Sequence, residues 1–132
     1  MSLAREAYDD RARALIGTRF RPQGRDELGV DCVGLVFLAF DIPVTEARRN
    51  YRLRGDHLQE IVHGLKRRFR KIQPAHEQPG DVLVMEAGPD QVHLGIRTRE
   101  GFVHAHAGIG RVVETPGAPQ WPVAAVFRKR RR

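Results

Sequence analysis

Residues 81–107, DVLVMEAGPDQVHLGIRTREGFVHAHA, consist of short apolar runs separated by turn residues. Within each run the apolar residues recur with a period near two, which is typical of half-buried strands. Two further runs of the same kind follow before the end of the chain. The predicted strands are 81–86, 91–97, 102–107, 111–115 and 123–127. Because glycine, proline and aspartate supply short turns between them, we expect an antiparallel meander in the second half of the chain.

The first half of the chain shows helical spacing instead. Apolar residues recur every three or four positions over 3–16 and over 56–72, which predicts two amphipathic helices. The apolar run 32–40 fits a buried strand or a buried helix, and Asp31 favours the helix because aspartate is a strong N-cap residue. Helices first and antiparallel strands second indicate an α+β fold.

Charge is concentrated at one end of the sequence. The 132 residues include 23 Lys and Arg against 16 Asp and Glu, for a formal net charge of +7. Residues 128–132 are all basic, and without these five charges the net charge falls to +2. We therefore predict a single domain over 1–127 and a basic tail over 128–132. Since the rest of the chain is nearly neutral, the charge argues against nucleic acid as a partner.

Composition excludes several other classes. A hydrophobic fraction of 41% with 30% charged residues is typical of a globular domain and not of a disordered chain. The longest apolar run, 33–40, has eight residues, against the roughly 20 that a membrane-spanning helix needs. The charged residues 1–10 do not resemble a secretory signal, so we expect synthesis in the bacterial cytoplasm.

The single cysteine, Cys32, has two interpretations. It has no partner within the chain for a disulfide, and it is either a small buried apolar residue or a nucleophile. If a helix begins at Asp31, the thiol lies in its first turn, where backbone N–H groups and the helix dipole stabilise a thiolate.

Three histidines in two neighbouring predicted strands favour the nucleophile. The apolar residues that need one buried face are Val92, Leu94, Ile96, Val103 and Ala105. Because side chains alternate between the faces of a sheet, this requirement places His93 on the same face as His104 and His106. One allowed register sets His93 opposite His104, and a shift of two residues sets it opposite His106.

A nucleophilic thiol needs a base and a third group that orients the base. Cys32, His93 and His104 fit these three roles. The same residues with His106 also resemble zinc ligands in type, although no carboxylate is placed near them. Both interpretations follow from the residues alone, and the hydrolytic one requires neither metal nor cofactor.

Several segments, in order along the chain, resemble the NlpC-type cell-wall cysteine peptidases. They are GTRF (17–20), GVDCVGLV (29–36), PGDVLV (79–84), HLGI (93–96) and FVHA (102–105). The final segment, from residue 112 to 128, is most similar to the short single-domain branch that is found with phage tails and gene-transfer particles. The resemblance covers about residues 5–128.

The resemblance implies a papain-like α+β fold that hydrolyses amide bonds in peptidoglycan stem peptides, typically between D-glutamate and diaminopimelate. Cys32 would form the thioester, His93 would act as base and then acid, and His104 would orient His93. We expect substrate contacts from three further residues, Phe20, Asp31 and His106. Phe20 replaces the tyrosine that is usual in the family, which removes a hydroxyl from this part of the site.

Two other functions remain open. One is a non-catalytic structural or binding module of a phage tail on the same fold, and the other is a papain-like amidase or acyltransferase. The expected partners are a peptidoglycan peptide and, for the phage branch, tail proteins. The expected place of action is the cell wall, where the protein is free or part of a phage-like particle.

Overall fold

The computed structural model describes residues 3–22, 24–26, 29–43, 58–89 and 91–130. The helices in these ranges are α1 (Leu3–Arg13), α2 (Cys32–Ala39), α3 (Leu58–Leu65) and a short 3-10 helix (Pro74–His76). The strands are β1 (Arg25–Asp26), β2 (Gly29–Val30), β3 (Phe69–Ile72), β4 (Val82–Gly88), β5 (Gln91–Arg97), β6 (Gly101–His106), β7 (Arg111–Pro116) and β8 (Val123–Lys129). None of the helices in the described ranges is long and apolar enough to cross a membrane.

Six strands form one antiparallel sheet in the order β3-β8-β4-β5-β6-β7, and β1 pairs with β2 in a separate hairpin. The run β4-β5-β6-β7 is the predicted meander. With helices before the sheet and antiparallel strands after them, the predicted α+β class is confirmed.

The last strand departs from the predicted meander. β8 does not continue beyond β7 but lies between β3 and β4, with Val84 opposite Ala125 and Lys71 opposite Phe127. In this position β8 supplies backbone partners to two strands that would otherwise each leave a row of N–H and C=O groups unpaired.

The predicted helix over 56–72 is only half correct. α3 ends at Leu65, a turn follows, and Phe69–Ile72 is the edge strand β3. Phe69 is buried with the residues that face α2, whereas Ile72 is buried on the opposite face of the sheet. A spacing of three places both residues on one helical stripe but on opposite sides of a strand, so the pattern fitted both structures. The beginning of this predicted helix, 56–57, lies outside the described residues.

The sheet has an apolar cluster on each face. In β4, Val82 and Val84 face the cluster that contains α2, and Leu83 and Met85 face the other cluster. α2 is apolar on all sides, and its buried residues are Cys32, Gly34, Leu35, Val36 and Ala39. A helix with this composition has to be covered, and the sheet provides the cover on one side. β8 contributes to both clusters, with Ala125 and Phe127 on the α2 side and Val126 on the other side.

An ion pair between Arg128 and Asp81 joins the end of β8 to the start of β4. Arg128 donates through Nε and a terminal nitrogen to both carboxylate oxygens of Asp81, each at 2.8 Å. Asp81 is 1% exposed and also accepts the N–H of Gln78 at 2.9 Å. β8 therefore extends through Arg128 and Lys129, two of the five residues that the sequence analysis assigned to a basic tail.

We predict that Arg128→Ala lowers the free energy of unfolding by about 3 kcal/mol, because it leaves the buried Asp81 carboxylate without its bidentate partner. Urea denaturation at pH 7 measures the change. The matched control is Arg130→Ala, which removes an exposed guanidinium of the same chain end and should change stability by less than about 0.5 kcal/mol. Equal effects of the two substitutions would contradict a specific role for the Arg128–Asp81 pair.

Candidate active site

The first turn of α2 carries the candidate nucleophile. Asp31 has an extended backbone, and its Oδ1 accepts the N–H of Gly34 at 2.9 Å. This is the predicted N-cap, and it makes Cys32 the first residue of the helix. The Asp31 side chain is buried, with its carboxylate engaged at the helix start. A contact of Asp31 with substrate stays a prediction.

Close backbone packing holds this turn in place. A Cβ atom on Gly34 would overlap the carbonyl oxygen of Gly24, so the loop before β1 rests directly on the start of α2. Phe20 forms a bridge with Val30 and donates its N–H to the carbonyl of Gly110 at 2.8 Å. Phe20 is thereby held between the β1–β2 hairpin and the β6–β7 turn.

The two histidine strands pair in one of the two predicted registers. Ile96 lies opposite Val103 and Arg97 opposite Phe102, which is the predicted register that aligns His93 with His106 rather than with His104. His104 is the diagonal neighbour of His93, and Nε2 of His93 lies 2.8 Å from Nδ1 of His104. The predicted convergence of the histidines on one face is confirmed.

A threonine completes a row of hydrogen-bonded groups. Nε2 of His104 lies 2.8 Å from the Oγ1 of Thr115 in β7, so His93, His104 and Thr115 are connected in series. His104 is 1% exposed, so the middle of this row is shielded from solvent, whereas His93 and Thr115 at its two ends are half-buried. The sequence analysis missed Thr115. In β7, Thr115 lies opposite Phe102 and so shares the face of His104, a relation that strand alternation carried one strand further would have indicated.

Aromatic rings enclose the two histidines. Phe102 is stacked on His104, with centroids 4.6 Å apart and an angle of 28° between the planes. Trp121 meets His93 and His104 edge-on at centroid distances of 5.3 Å and 5.8 Å. The sequence analysis did not assign Trp121 to the site. It lies in the segment that crosses from β7 to β8, where no periodic pattern fixes the direction of a side chain.

A cleft of about 310 Å³ brings the predicted residues together. Its lining includes Cys32 and His93, together with two of the predicted substrate contacts, Phe20 and His106. The other lining residues are Ala87, Gln91, Val92, Ala105, Ala107, Gly108 and Trp121. The other two predicted site residues, His104 and Asp31, are buried and are not among the residues that line the cleft. The lining contains no lysine, arginine or carboxylate side chain among the described residues.

Burial lowers the pKa of both His93 and His104. It lowers the pKa of His93 from the ordinary value of 6.5 to about 4, and the charge of His106 lowers it further in the same direction. The pKa of His104 is lowered to about 4, first by burial and then by the charges of His93 and His106. Both rings are therefore neutral at pH 7, and each neutral imidazole has one nitrogen lone pair that accepts a hydrogen bond or a proton.

His106 stands at the rim of the cleft. Its Nδ1 accepts the N–H of Ile109 in the β6–β7 turn at 3.0 Å. Among the described residues, no group of three or more His, Cys, Asp and Glu side chains is arranged to hold a metal ion. Both ring nitrogens of His104 are engaged in hydrogen bonds, one to His93 and the other to Thr115.

The architecture is that of the NlpC/p60 domains. Solved structures with this fold include NlpC1 from Trichomonas vaginalis, with a TM-score of 0.70 and 18% identity over 98% of this chain and 46% of that chain. Another is the peptidoglycan hydrolase RipB from Mycobacterium tuberculosis, with a TM-score of 0.61 and 24% identity over 95% of this chain and 64% of that chain. The papain-like α+β arrangement implied by the sequence motifs agrees with these similarities in fold.

Among curated proteins, the chain is similar to the murein DD-endopeptidase MepS/murein LD-carboxypeptidase of Escherichia coli K12. The two are 26% identical over 106 residues, which are 80% of this chain and 51% of the relative. The chain thus spans about half the length of the curated relatives it matches. No family model matches the chain. The assignment to the phage-tail branch stays a prediction.

We predict that stability falls as the pH is lowered from 6.5 to 4. The unfolded chain binds protons at His93 and His104 near pH 6.5, whereas the folded protein binds them only near pH 4, so protonation favours unfolding within this window. Melting temperatures at pH 7, 5.5 and 4.5 measure the fall. The double variant His93→Gln/His104→Gln should show a shallower pH dependence, and an unchanged one would contradict the assignment.

Proposed function

We propose that the chain is a peptidoglycan hydrolase of the NlpC/p60 type, a cysteine peptidase that cleaves amide bonds in stem peptides. The observation that carries the proposal is the cleft lined by Cys32 at a capped helix start and by His93, whose ring is hydrogen-bonded to the buried His104. The peptidoglycan hydrolase RipB shares the fold, and the murein hydrolase of E. coli is similar in sequence.

The first half of the proposed reaction forms an acyl-enzyme. Since Nε2 of His93 is engaged by His104, Nδ1 is the nitrogen that takes the thiol proton from Cys32. The sulfur attacks the carbonyl carbon of the scissile amide, and the resulting imidazolium returns the proton to the leaving amine. A thioester on Cys32 and a free amine are the products of this half.

The second half releases the acid. His93 removes a proton from a water molecule, the hydroxide attacks the thioester carbon, and the proton returns to the departing sulfur. The Cys32 N–H, in the first turn of α2, is the candidate donor to the oxyanion that forms in both halves. Phe20 contributes only its ring to this wall of the cleft, so the hydroxyl of the usual tyrosine plays no part here.

The bond between D-glutamate and diaminopimelate is our first candidate for the cleaved amide. The E. coli relative is named as a DD-endopeptidase and an LD-carboxypeptidase, activities on other bonds of the same polymer. The described lining of the cleft is neutral apart from its histidines and has small residues at Ala105, Ala107 and Gly108. Such a surface fits an uncharged backbone near the reacting carbonyl.

We predict that Cys32→Ala and His93→Gln each reduce the release of stem-peptide fragments from purified peptidoglycan by at least about a thousandfold, because each removes one member of a nucleophile–base pair. Mass spectrometry of the soluble products measures the release and identifies the bond. The matched control is His76→Gln, which changes an exposed histidine on the 3-10 helix and should leave release unchanged.

The same samples separate the remaining functions. Wild-type Cys32 should react with iodoacetamide at pH 7 faster than free cysteine does, and His93→Gln should slow that reaction. Fast alkylation without any fragment release would favour an amidase or acyltransferase acting on another substrate. Slow alkylation and no release would mean that the module is not catalytic.

We predict that His106→Gln moves the acid limb of the pH–activity profile to higher pH. Protonated His106 lowers the pKa of His93, so its removal raises that pKa, and His93 loses its ability to accept the thiol proton at a less acidic pH. Values of kcat/KM from pH 3.5 to 7 measure the limb. An acid limb at the wild-type position would rule out this coupling, and His63→Gln, on α3, serves as the control.

A further inference from the structure

The row His93–His104–Thr115 can carry its protons in two directions. In the forward direction, Nε2–H of His93 donates to Nδ1 of His104, and Nε2–H of His104 donates to the Thr115 hydroxyl. In the reverse direction, the Thr115 hydroxyl donates to His104, whose Nδ1–H donates to Nε2 of His93. A hydroxyl both donates and accepts, so the distances alone allow either direction.

Only the forward direction leaves His93 able to act as a base. With the proton on Nε2, the Nδ1 atom has the lone pair that accepts the proton of a thiol. With the proton on Nδ1, as the reverse direction requires, His93 has no lone pair there. The imidazolium form of His93 imposes the forward direction, because both of its nitrogens donate and His104 must then accept at Nδ1.

The forward direction creates a requirement at the far end of the row. His104 then carries its proton on Nε2, and this N–H belongs to a side chain that is 1% exposed. Thr115 Oγ1, 2.8 Å away, is the group that accepts it. A buried N–H without an acceptor is costly, and more so than a ring nitrogen lone pair left without a donor.

We propose that Thr115 is a positioning residue that sets the tautomers of both histidines by accepting the Nε2–H of His104. This role rests on the proposed function only for its catalytic consequence, because the tautomers themselves exist without substrate. Neutral imidazole intrinsically prefers the Nε2–H form, and with Thr115 as acceptor both rings adopt that form together. Phe102, stacked on His104, restricts the rotation of the His104 ring.

Removing the hydroxyl should invert the row. In Thr115→Val the shape of the β-branched side chain is kept, but an Nε2–H on His104 would have no acceptor. His104 then carries its proton on Nδ1 and donates it to Nε2 of His93. His93 in turn carries its own proton on Nδ1, so the nitrogen available to the thiol is a donor and not an acceptor. Thr115→Ser keeps the hydroxyl and should keep the wild-type tautomers.

The first measurement reads the tautomers directly and needs no substrate. Two-bond ¹H–¹⁵N correlation spectra of the histidine rings at pH 7 distinguish Nε2–H from Nδ1–H. We expect Nε2–H at His93 and His104 in the wild type and in Thr115→Ser, and Nδ1–H at both rings in Thr115→Val. Nδ1–H at His93 in the wild type would overturn the proposal without any variant, as would unchanged tautomers in Thr115→Val.

The second measurement is the hydrolysis of peptidoglycan fragments. Thr115→Val should lower kcat by about ten- to a hundredfold with little change in KM, whereas Thr115→Ser should stay within about threefold of the wild type. Thr98→Val is the matched control, because it removes the hydroxyl of the buried Thr98, which donates to Glu114 outside the row. Full activity in Thr115→Val, or an equal loss in Thr115→Ser, would overturn the role.

The two measurements fail separately. If the wild type has the forward tautomers and Thr115→Val inverts them, but no peptidoglycan is cleaved, then the proposed function is wrong and the positioning role of Thr115 stands. If peptidoglycan is cleaved and the tautomers ignore Thr115, the proposed function stands and the positioning role is wrong.

Discussion

The register of β5 against β6 is the constraint on which the rest of the site depends. Side chains alternate along both strands, so the apolar residues that pack toward α2 also determine where the histidines lie. If β5 slipped by one residue, His93 would turn into that core, Leu94 would turn away from it, and His93 and His104 would lie on opposite faces of the sheet. The hydrophobic face thus enforces a hydrogen bond of 2.8 Å between two rings on the opposite face. The geometry of the candidate site and the packing of the core therefore depend on the same register.

The position of the Cys32 thiol is determined by the start of α2 and not by strand pairing. α2 begins at Cys32 because Asp31 caps it, and its first turn approaches the preceding loop closely because position 34 has no Cβ atom. Cys32, the proposed nucleophile, is therefore held by backbone contacts, whereas His93, the proposed base, is held by strand pairing. The capped helix start and the strand pairing are independent of each other, and together they bring Cys32 and His93 to the lining of one cleft.

Local patterns predicted the parts of the fold in which a single period dominates. The limits of β5 agree with the predicted 91–97, and α2 has its predicted cap. Local patterns failed at β3. Apolar residues spaced by three fit a helix, and they also fit a strand that is covered on both faces. Only the pairing with β8 decides between the two structures. Thr115 could have been predicted from the same alternation of side chains that placed the histidines on one face. Trp121 could not, since its place depends on the path of an irregular crossing segment.

The position of β8 has a consequence for how the domain assembles. It is the last strand of the sheet along the chain, yet it lies in the interior of the sheet, where β3 and β4 both pair with it. Contacts between residues so distant in sequence form late and slow the search for the native state. During synthesis, the helices and the strands β3 to β7 emerge before β8, so the place of β8 between β3 and β4 is still empty. Trp121, which contacts His93 and His104, lies just before β8 along the chain. We therefore expect the candidate site to stay incomplete, and the proposed hydrolysis to be absent, until residue 129 has left the ribosome and β8 has joined the sheet.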